Sequence, residues 1–154
     1  AYQKKKYAFV IDPVRLQLLR EHGGIWLDTD IEIIKNLDPL LELPAFMSFE
    51  SDTLLHTGIV GSEKGAAWTD EYWKYMNRKP FIRWNGRLNK TPSTVIISRI
   101  LKKRGVKLDN TFQIYDDSLH IFPKDYFCPK DYKTGKITIT DNTYCIHHFA
   151  GSWK

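Results

Sequence analysis

The feature that most constrains the fold is a short apolar run that ends in a group of acids. Residues 23–32 read GGIWLDTDIE, so Ile-Trp-Leu leads directly to Asp28, Asp30 and Glu32. If this segment is a strand, the three acids project from one face, because alternate side chains of a strand point to the same side. Three neighbouring carboxylates repel each other unless water or a cation separates them. The sequence therefore predicts a buried strand with a concentration of negative charge at its end.

The residues before this run predict a strand followed by a helix. Residues 7–11 (YAFVI) form a short apolar run, and Asp12 with Pro13 is typical of the N-cap and first turn of a helix. Leucines continue the helical spacing through 14–22, and the glycines at 23–24 end it. Strand, helix and strand in this order favour a parallel α/β unit.

The remainder of the chain predicts short strands and two more helices. The helices are expected at 66–77 and 91–105, and the strands at 45–50, 57–62, 111–115, 119–122, 136–140 and 143–149. No repeat, linker or low-complexity segment divides the chain. Residues 1–154 are therefore expected to form a single α/β domain.

Composition limits the class of protein. The chain has 154 residues, 42% of them apolar and 14% aromatic, which is enough for a hydrophobic core. No apolar run approaches the roughly 20 residues of a membrane span. Cys128 and Cys145 are not spaced as a C-x-x-C pair, so neither a zinc site nor a redox dithiol is indicated, and a reducing, intracellular setting is the simpler interpretation.

Positive charge exceeds negative charge by a modest amount. The formal net charge is +5, and lysines and arginines cluster at 4–6 and 102–104. These runs are either solvated surface or a surface that attracts an anion such as a nucleotide, a membrane headgroup or nucleic acid. The chain starts AYQKKKYAFV without a Met, and we expect it to be N-terminally incomplete.

The acids of the D-T-D sequence have two chemical interpretations. Calcium binding of the EF-hand type is excluded, because counting from Asp28 puts Ile33 and Pro39 where that loop needs Gly and Glu. In one interpretation Asp28 and Asp30 cap a turn. In the other, they lie beyond the carboxyl end of a strand, where α/β proteins bind ligands, and hold a divalent cation that in turn holds a diphosphate. Such a cation neutralises the charge that develops on a pyrophosphate leaving group.

Residues 12–41, DPVRLQLLREHGGIWLDTDIEIIKNLDPLL, resemble the core of the DXD-containing sugar transferases. These include bacterial capsular polysaccharide and mannosyltransferase-like enzymes, with the large clostridial glucosylating toxins as distant relatives. The ending HHFAGSW at 147–153 is similar to a closing motif of related retaining transferases, and the middle of the chain resembles the family more loosely. The match thus spans most of the chain.

The resemblance implies a GT-A fold and metal-dependent transfer of a sugar, with retention of configuration, from a nucleotide-sugar donor. A UDP-sugar is expected, and GDP-mannose is the alternative. By resemblance, Asp30 is the main metal ligand, and Asp28 binds the donor ribose or the metal. Asp12 and Arg15 contact the donor sugar, so Asp12, Arg15 and Asp30 are the expected catalytic residues. The resemblance also implies that the first strand and base-binding loop of the GT-A fold are missing from this chain.

The C-terminal motif adds three further expectations. His148 completes the metal shell, and Ser152 and Trp153 lie against the donor diphosphate. His147 and His148 are neighbours in a predicted strand, so they point to opposite faces and only one can reach the metal. The expected ion is Mn²⁺ or Mg²⁺, and an imidazole ligand suits Mn²⁺ better.

Several interpretations stay open from the sequence. Arg15 can simply pair with Asp12 across a helical turn, and Glu50, His56 and Trp84 have no assignable role. The acceptor is expected to be a carbohydrate or a lipid-linked molecule, as in polysaccharide or capsule biosynthesis. We expect a cytoplasmic protein, and peripheral association with the inner face of the membrane stays open. The rivals are a catalytically inactive relative and a nucleic-acid-binding module, for which no typical motif is present in the sequence.

Overall fold

The computed structural model describes residues 1–151, which form four helices and eight strands. The helices are α1 (Ala8–His22), α2 (Asp38–Leu41), α3 (Ala67–Arg78) and α4 (Ser93–Lys102). The strands are β1 (Gly24–Leu27), β2 (Ile31–Ile33), β3 (Ala45–Ser51), β4 (Leu54–Leu55), β5 (Ile59–Ser62), β6 (Gln113–Tyr115), β7 (Leu119–Phe122) and β8 (Cys145–His147).

The strands form two sheets. The main sheet has the order β1-β5-β3-β7-β6, with β4 pairing beside β3, and β2 and β8 form a separate two-stranded sheet. Strands β3 and β7 run parallel, whereas β1 pairs with β5 and β2 pairs with β8 in antiparallel fashion. The predicted α/β class is confirmed as a mixed sheet with helices. The predicted parallel unit around β1 is wrong, because the neighbour of β1 is the antiparallel strand β5.

Helix α1 begins earlier than the sequence predicts. Residues 7–11, expected as a strand, lie in or next to α1, and Pro13 lies inside the helix. The buried face of α1 consists of Asp12, Arg15, Leu16 and Leu19, a helical spacing whose first two members are charged. The start of the helix was placed too late because the apolar run at 7–11 looks like a strand and Asp12 with Pro13 looks like an N-cap.

The core lies between the main sheet and three of its helices. Side chains from α1, α3 and α4 pack on the sheet, including Leu16, Leu19, Trp68, Tyr72, Ile97, Leu101, Met47, Phe49, Leu119 and Ile121. A second cluster contains Leu40, Phe46, Ile59, Phe127 and Cys145. Since Ile59 begins β5 and Cys145 begins β8, this second cluster supports two of the strands that lie next to the D-T-D sequence.

Of two other predictions, for one helix and one strand, the first is confirmed and the second is wrong. The helix expected at 66–77 is confirmed as α3. The strand expected at 136–140 is wrong, since within the described residues that segment makes only an isolated bridge between Ile137 and Lys130. Among the described helices, none has the length and apolar character required to cross a bilayer.

Candidate functional site

The D-T-D sequence lies in a turn rather than in a strand. The backbone N–H of Asp28 donates to the carbonyl of Gly58 at 2.7 Å, which extends the pairing of β1 with β5 by one residue. The N–H of Ile31 then donates to the carbonyl of Asp28 at 3.1 Å, and β2 starts. The expectation that the three acids share one strand face is wrong, because the chain reverses between Asp28 and Ile31.

Asp28 belongs to a group of contacts that we call the arginine cluster: Asp12, Arg15, Trp26, Asp28 and Thr57. Nη2 of Arg15 donates to Oδ1 of Asp12 at 2.5 Å, and Nη1 donates to the carbonyl of Thr57 at 2.6 Å. Nη1 also lies 3.3 Å from Oδ1 of Asp28, which accepts a second hydrogen bond from the indole N–H of Trp26 at 2.7 Å.

The arginine cluster is buried at Asp12 and Arg15 but reaches solvent at Asp28, whose side chain is 33% exposed. Arg15 is 5% exposed and Asp12 is 9% exposed. Burial raises the pKa of Asp12, and the positive charge of Arg15 opposes that rise. Arg15 therefore pairs with Asp12, as one of its two interpretations expected, and it also holds one oxygen of Asp28 in place. Contact of Arg15 with a donor sugar stays a prediction.

The second group, which we call the histidine cluster, contains Asp30, His56 and His147. Nε2 of His147 lies 3.4 Å from Oδ2 of Asp30, and Nδ1 of the same ring lies 3.0 Å from Nε2 of His56. The two imidazole rings have centroids 4.8 Å apart. His147 therefore lies between a carboxylate on one side and a second histidine on the other.

The chain after His147 turns back over Asp30. The N–H of His148 donates to the backbone carbonyl of Asp30 at 3.0 Å, and the N–H of Ala150 donates to Oδ2 of Asp30 at 2.9 Å. Between them Phe149 adopts a left-handed conformation with φ 54°, which is uncommon for a bulky residue. The hydrogen bond from Ala150, at the end of this strained turn, fixes the orientation of the Asp30 carboxylate.

The structure places His147, rather than the expected His148, beside the two aspartates. The imidazole of His148 faces the other way, and its Nε2 lies 2.7 Å from Oε2 of Glu32. Glu32 is itself exposed. The two histidines do point in different directions, as expected for neighbours, but the pairing of β8 with β2 puts the first of them on the side of the acids.

Asp28, Asp30 and His147 have a suitable geometry for a divalent cation. One ligand atom from each lies within 4.8 Å of the other two. Two carboxylate oxygens and one imidazole nitrogen match the ligands that Mn²⁺ accepts, whereas an all-oxygen site would favour Mg²⁺ or Ca²⁺. Burial lowers the pKa of His147, which keeps the imidazole neutral as a ligand must be, although Asp30 opposes this shift.

Cys128 lies next to this group but has different chemistry. Its sulfur is within 4.8 Å of ligand atoms of His56 and His147, so the three residues form a second cluster that shares His147. Cys128 is 2% exposed, and burial raises the pKa of its thiol well above the usual range. A cation would have to displace the proton of this thiol before the sulfur could become a ligand, which makes Cys128 a less favourable ligand than the carboxylates.

A cavity of about 220 Å³ borders Asp12. It lies between the start of α1, the end of α3 and the segment that leads to α4, and its walls combine aromatic and polar side chains: Phe9, Trp73, Phe81, Asn77, Asn89 and Thr91. Rings together with amide and hydroxyl groups are suited to a ligand that has both apolar and hydroxyl-bearing faces. Trp84 is not among the lining residues and is 98% exposed.

Two expected site residues, Ser152 and Trp153, lie outside the described residues. In the other direction, the structure adds residues that the sequence did not assign: His56, Trp26 and Thr57. Trp26 could have been found from its position two residues before Asp28, on the same side of β1. His56 carried no local signal, because it meets His147 across 91 residues of sequence.

Comparisons with known proteins agree with these observations. Residues 1–47 match the model of a family described as glycosyltransferase sugar-binding region containing DXD motif. This match includes the D-T-D sequence, Asp12 and Arg15. No solved structure matches the chain.

Three curated relatives match parts of the chain. Inositol phosphoceramide mannosyltransferase 3 of Schizosaccharomyces pombe is 39% identical over 54 residues, 35% of this chain and 15% of its own length. A mannosyl phosphorylinositol ceramide synthase of Saccharomyces cerevisiae is 39% identical over 51 residues, 33% of this chain and 14% of its own. An uncharacterized glycosyltransferase of Acanthamoeba polyphaga mimivirus is 33% identical over 94 residues, 60% of this chain and 38% of its own.

The chain therefore spans much less than half the length of the curated relatives it matches. The mixed α/β architecture is consistent with the GT-A-like fold that the resemblance implied. Residues 1–47 are thus similar to the glycosyltransferase sugar-binding regions that contain a DXD motif, and the listed relatives include glycosyltransferases.

Proposed function

We propose that this chain is the catalytic domain of a metal-dependent retaining glycosyltransferase that moves a sugar from a nucleotide-sugar donor to an acceptor hydroxyl. The single observation that carries the proposal is the convergence of Asp28, Asp30 and His147 at the end of β1. Two of these residues lie in the segment that matches the DXD family. The third comes from β8, at the other end of the described chain.

In this proposal Asp28, Asp30 and His147 hold the cation, which when bound neutralises charge on the donor diphosphate. His147 takes the ligand role that the sequence assigned to His148. Arg15 acts on the donor through Asp28 and Asp12 rather than by contact, because its guanidinium is buried and bonded to protein groups. With the donor held, retention requires no protein base if the leaving phosphate accepts the proton of the acceptor hydroxyl.

The relatives' names support one sugar and one class of acceptor as candidates to test. Two relatives are named for mannosyl transfer to inositol phosphoceramide, a lipid with a carbohydrate-like headgroup. These names support mannose, and therefore GDP-mannose beside the UDP-sugars, as a donor to test. They also support a lipid-linked acceptor, and the cavity beside Asp12 is suited to a ring with hydroxyl groups. Peripheral membrane association, a cytoplasmic location and a role in surface polysaccharide synthesis stay predictions.

The test is a donor screen on the complete protein by thermal unfolding, with and without Mn²⁺. A ligand at 100 times its dissociation constant adds roughly 2.7 kcal/mol to the free energy of unfolding. We expect one nucleotide sugar to stabilise the protein only when Mn²⁺ is present, and hydrolysis or transfer of that donor to follow. Equal stabilisation by nucleotides with and without the metal would contradict the proposal.

The same screen separates the alternatives. A catalytically inactive relative would bind the donor with Mn²⁺ but leave it intact in the presence of any acceptor. A nucleic-acid-binding protein would bind an oligonucleotide with an affinity that falls steeply with salt. An inactive relative has no turnover to lose, and nucleic-acid binding does not require Asp30. An Asp30→Asn variant that loses both metal-dependent donor binding and turnover therefore favours the enzyme.

A further inference from the structure

We propose that residues 78–90, which we call the basic hairpin, dock the protein on an anionic lipid bilayer, with Trp84 inserted among the headgroups. This inference deepens the proposed function and rests on it for the reason why a bilayer is needed, since a lipid-linked acceptor lies in one. The basic hairpin is outside the segment that matches the DXD family and outside the proposed metal site. The inference therefore assigns a role to residues that the proposed reaction does not use.

The basic hairpin begins at the last residue of α3, ends shortly before α4 and is closed by main-chain hydrogen bonds. The N–H of Asn89 donates to the carbonyl of Phe81 at 2.6 Å, and the N–H of Gly86 donates to the carbonyl of Arg83 at 2.9 Å. Gly86 has φ 76°. A three-residue loop that ends in a left-handed glycine is a common hairpin connection. Trp84 is the first residue of this loop, so it lies at a defined tip.

The base of the basic hairpin is fixed to the body of the protein. The ring of Phe81 packs on that of Phe9 in α1, with centroids 5.4 Å apart. Phe81 and Asn89 also line the cavity that borders Asp12. The basic hairpin therefore extends from the edge of the cavity that we propose for the acceptor, and a surface that binds its tip lies close to that cavity.

The charge of the basic hairpin has one sign. It carries five of the 23 lysines and arginines of the chain and none of the 18 acids, so the rest of the chain is formally neutral. All five cationic residues are exposed: Arg78, Lys79, Arg83, Arg87 and Lys90. Among residues 1–151, none of them forms an ion pair with a carboxylate. This uncompensated positive charge attracts an anionic surface.

Other arginines of the chain behave differently. Arg20 pairs with Asp70, and Arg104 pairs with Glu71. Their charge is compensated by a neighbouring element of the fold. The contrast shows that the cations of the basic hairpin are the ones left to bind an external anion.

Two apolar side chains accompany this charge. Trp84 is 98% exposed and Ile82 is 46% exposed. An indole has an apolar body and a polar N–H, and it is favoured at the interface between membrane and water. Ile82 has no ring that can stack on a base, so a lipid surface is the environment in which both side chains leave water. The combination favours a bilayer over nucleic acid, which binds to cations and rings.

The test measures binding of the complete protein to vesicles by sedimentation, without donor, metal or acceptor. Vesicles of phosphatidylcholine with about 30% phosphatidylserine are compared with vesicles of phosphatidylcholine alone. We expect binding to the mixed vesicles that weakens as salt is added, because salt screens the attraction between cations and headgroups. We expect much weaker binding to phosphatidylcholine alone, which offers no net charge.

A double variant tests the cations. Arg83→Gln combined with Arg87→Gln should weaken binding to the mixed vesicles by roughly 20–30-fold, since each cation near an anionic surface contributes roughly fivefold. The matched control is Lys102→Gln combined with Lys103→Gln, which makes the same change in net charge at the far end of α4, about 15 Å along the helix. Its affinity should stay within about twofold of the wild type, because charges at that distance are screened. All four side chains are exposed, so neither variant disturbs the core.

Insertion of Trp84 is tested by fluorescence. Lipids that carry bromine on their acyl chains quench an indole that enters the bilayer. We expect quenching in the presence of mixed vesicles, and we expect Trp84→Phe to lose most of it while still binding. Trp84→Ala should weaken binding by roughly tenfold or more, since it removes a large apolar side chain from the interface. Quenching in Trp84→Phe equal to that in the wild type would overturn the insertion.

The remaining outcomes separate this inference from its rival and from the proposed function. Absence of binding to mixed vesicles, or equal losses in the two double variants, would overturn the docking surface. Tighter binding to an oligonucleotide than to vesicles would overturn it in favour of nucleic acid. A protein that binds a nucleotide sugar with Mn²⁺ but no vesicles would leave the proposed function standing. A protein that binds vesicles through the basic hairpin but binds no nucleotide sugar would overturn the proposed function and leave the docking surface.

Discussion

The arginine cluster and the histidine cluster lie side by side but differ in how their polar groups are satisfied. In the arginine cluster, both terminal nitrogens of Arg15 donate to protein oxygens, and Oδ1 of Asp28 accepts from two donors. In the histidine cluster, Nδ1 of His56 has no partner within the described part of the chain, and His147 contacts Asp30 at the longer distance of 3.4 Å.

This difference in hydrogen bonding distinguishes a cluster that stabilises the fold from a cluster that can bind a ligand. A buried charge network with its hydrogen bonds made is rigid, and removing one member leaves uncompensated charge. A group of ligand atoms with incomplete hydrogen bonding gains the most from an added ion. We therefore expect the arginine cluster to control the stability of the fold and the histidine cluster to control metal affinity.

The largest effect is expected for Arg15→Met. This variant leaves Asp12 and Asp28 without their shared cation, and we expect the free energy of unfolding to fall by about 3–5 kcal/mol. Chemical denaturation monitored by circular dichroism measures it. The matched control is Arg20→Met on the same helix, whose pair with Asp70 has side chains 39% and 41% exposed. That pair is worth at most about 1 kcal/mol, so equal losses in the two variants would contradict the assignment.

The next effect is expected for Asp30→Asn. The amide keeps an oxygen for the N–H of Ala150 but loses the charge that attracts a cation, so Mn²⁺ affinity should fall at least as far as for an outer partner, roughly 100-fold or more. Unfolding without metal should be nearly unchanged. The control is Glu32→Gln, at an exposed acid that lies near His148, and its Mn²⁺ titration should overlay that of the wild type. A loss of stability in Asp30→Asn would show instead that Asp30 stabilises the fold, as the arginine cluster does.

The comparison of His147 with His148 tests the site at single-residue level. His147→Ala should weaken Mn²⁺ binding by roughly 10–100-fold, comparable to the loss of a partner that orients a ligand. His148→Ala removes only an exposed contact with Glu32 and should bind Mn²⁺ normally. Calorimetric titration of both variants decides between them. The reverse pattern would show that the sequence assignment of His148 was correct and that the register of β8 misleads.

The smallest effect concerns Glu50, at the end of β3. Burial raises the pKa of Glu50 to about 7 from the usual value of 4.5. The folded state thus binds a proton more tightly than the unfolded state, so this group lowers stability as pH rises from about 4.5 to 7. We expect Glu50→Gln to stabilise the protein above pH 7 by roughly 1–2 kcal/mol and to have no such effect near pH 4.

Denaturant unfolding at pH 4 and pH 8 would measure the Glu50 effect, with exposed Glu42→Gln as the control. A pH-independent difference would show that Glu50 is solvated in the folded state. The result also bears on the histidine cluster. The pKa of Cys128, which lies next to that cluster, is raised by burial and also by the charge of Glu50.

The sequence predicted those parts of the molecule that depend on apolar patterns. Strands β1 and β3 and helix α3 follow runs of apolar residues, and they were placed correctly. The start of α1 was missed because residues 7–11 are a continuous apolar run, which is typical of a buried strand, and because Asp12 with Pro13 looks like the start of a helix. A short apolar run does not distinguish a strand from a buried helix segment.

The histidine side could not be derived for a different reason. Alternation along a strand predicted that one of His147 and His148 faces the acids, but β8 ends at His147 and the chain then turns at Phe149. The outcome depends on how β8 pairs with β2. His56 approaches His147 only through the tertiary fold, and no local sequence pattern predicts such a contact.

The pairing of β2 with β8 has a consequence for the order of folding. Glu32 and His148, which meet beside this two-stranded sheet, are 116 residues apart in the chain. Contacts between distant residues close large loops and form after most of the local structure. The D-T-D turn therefore acquires its histidine partner late, and the sheet that joins them should open at lower free energy than the core strands β3 and β7. Amide hydrogen exchange should be faster in β2 and β8, and it should slow when a cation closes the loop by bridging its two ends.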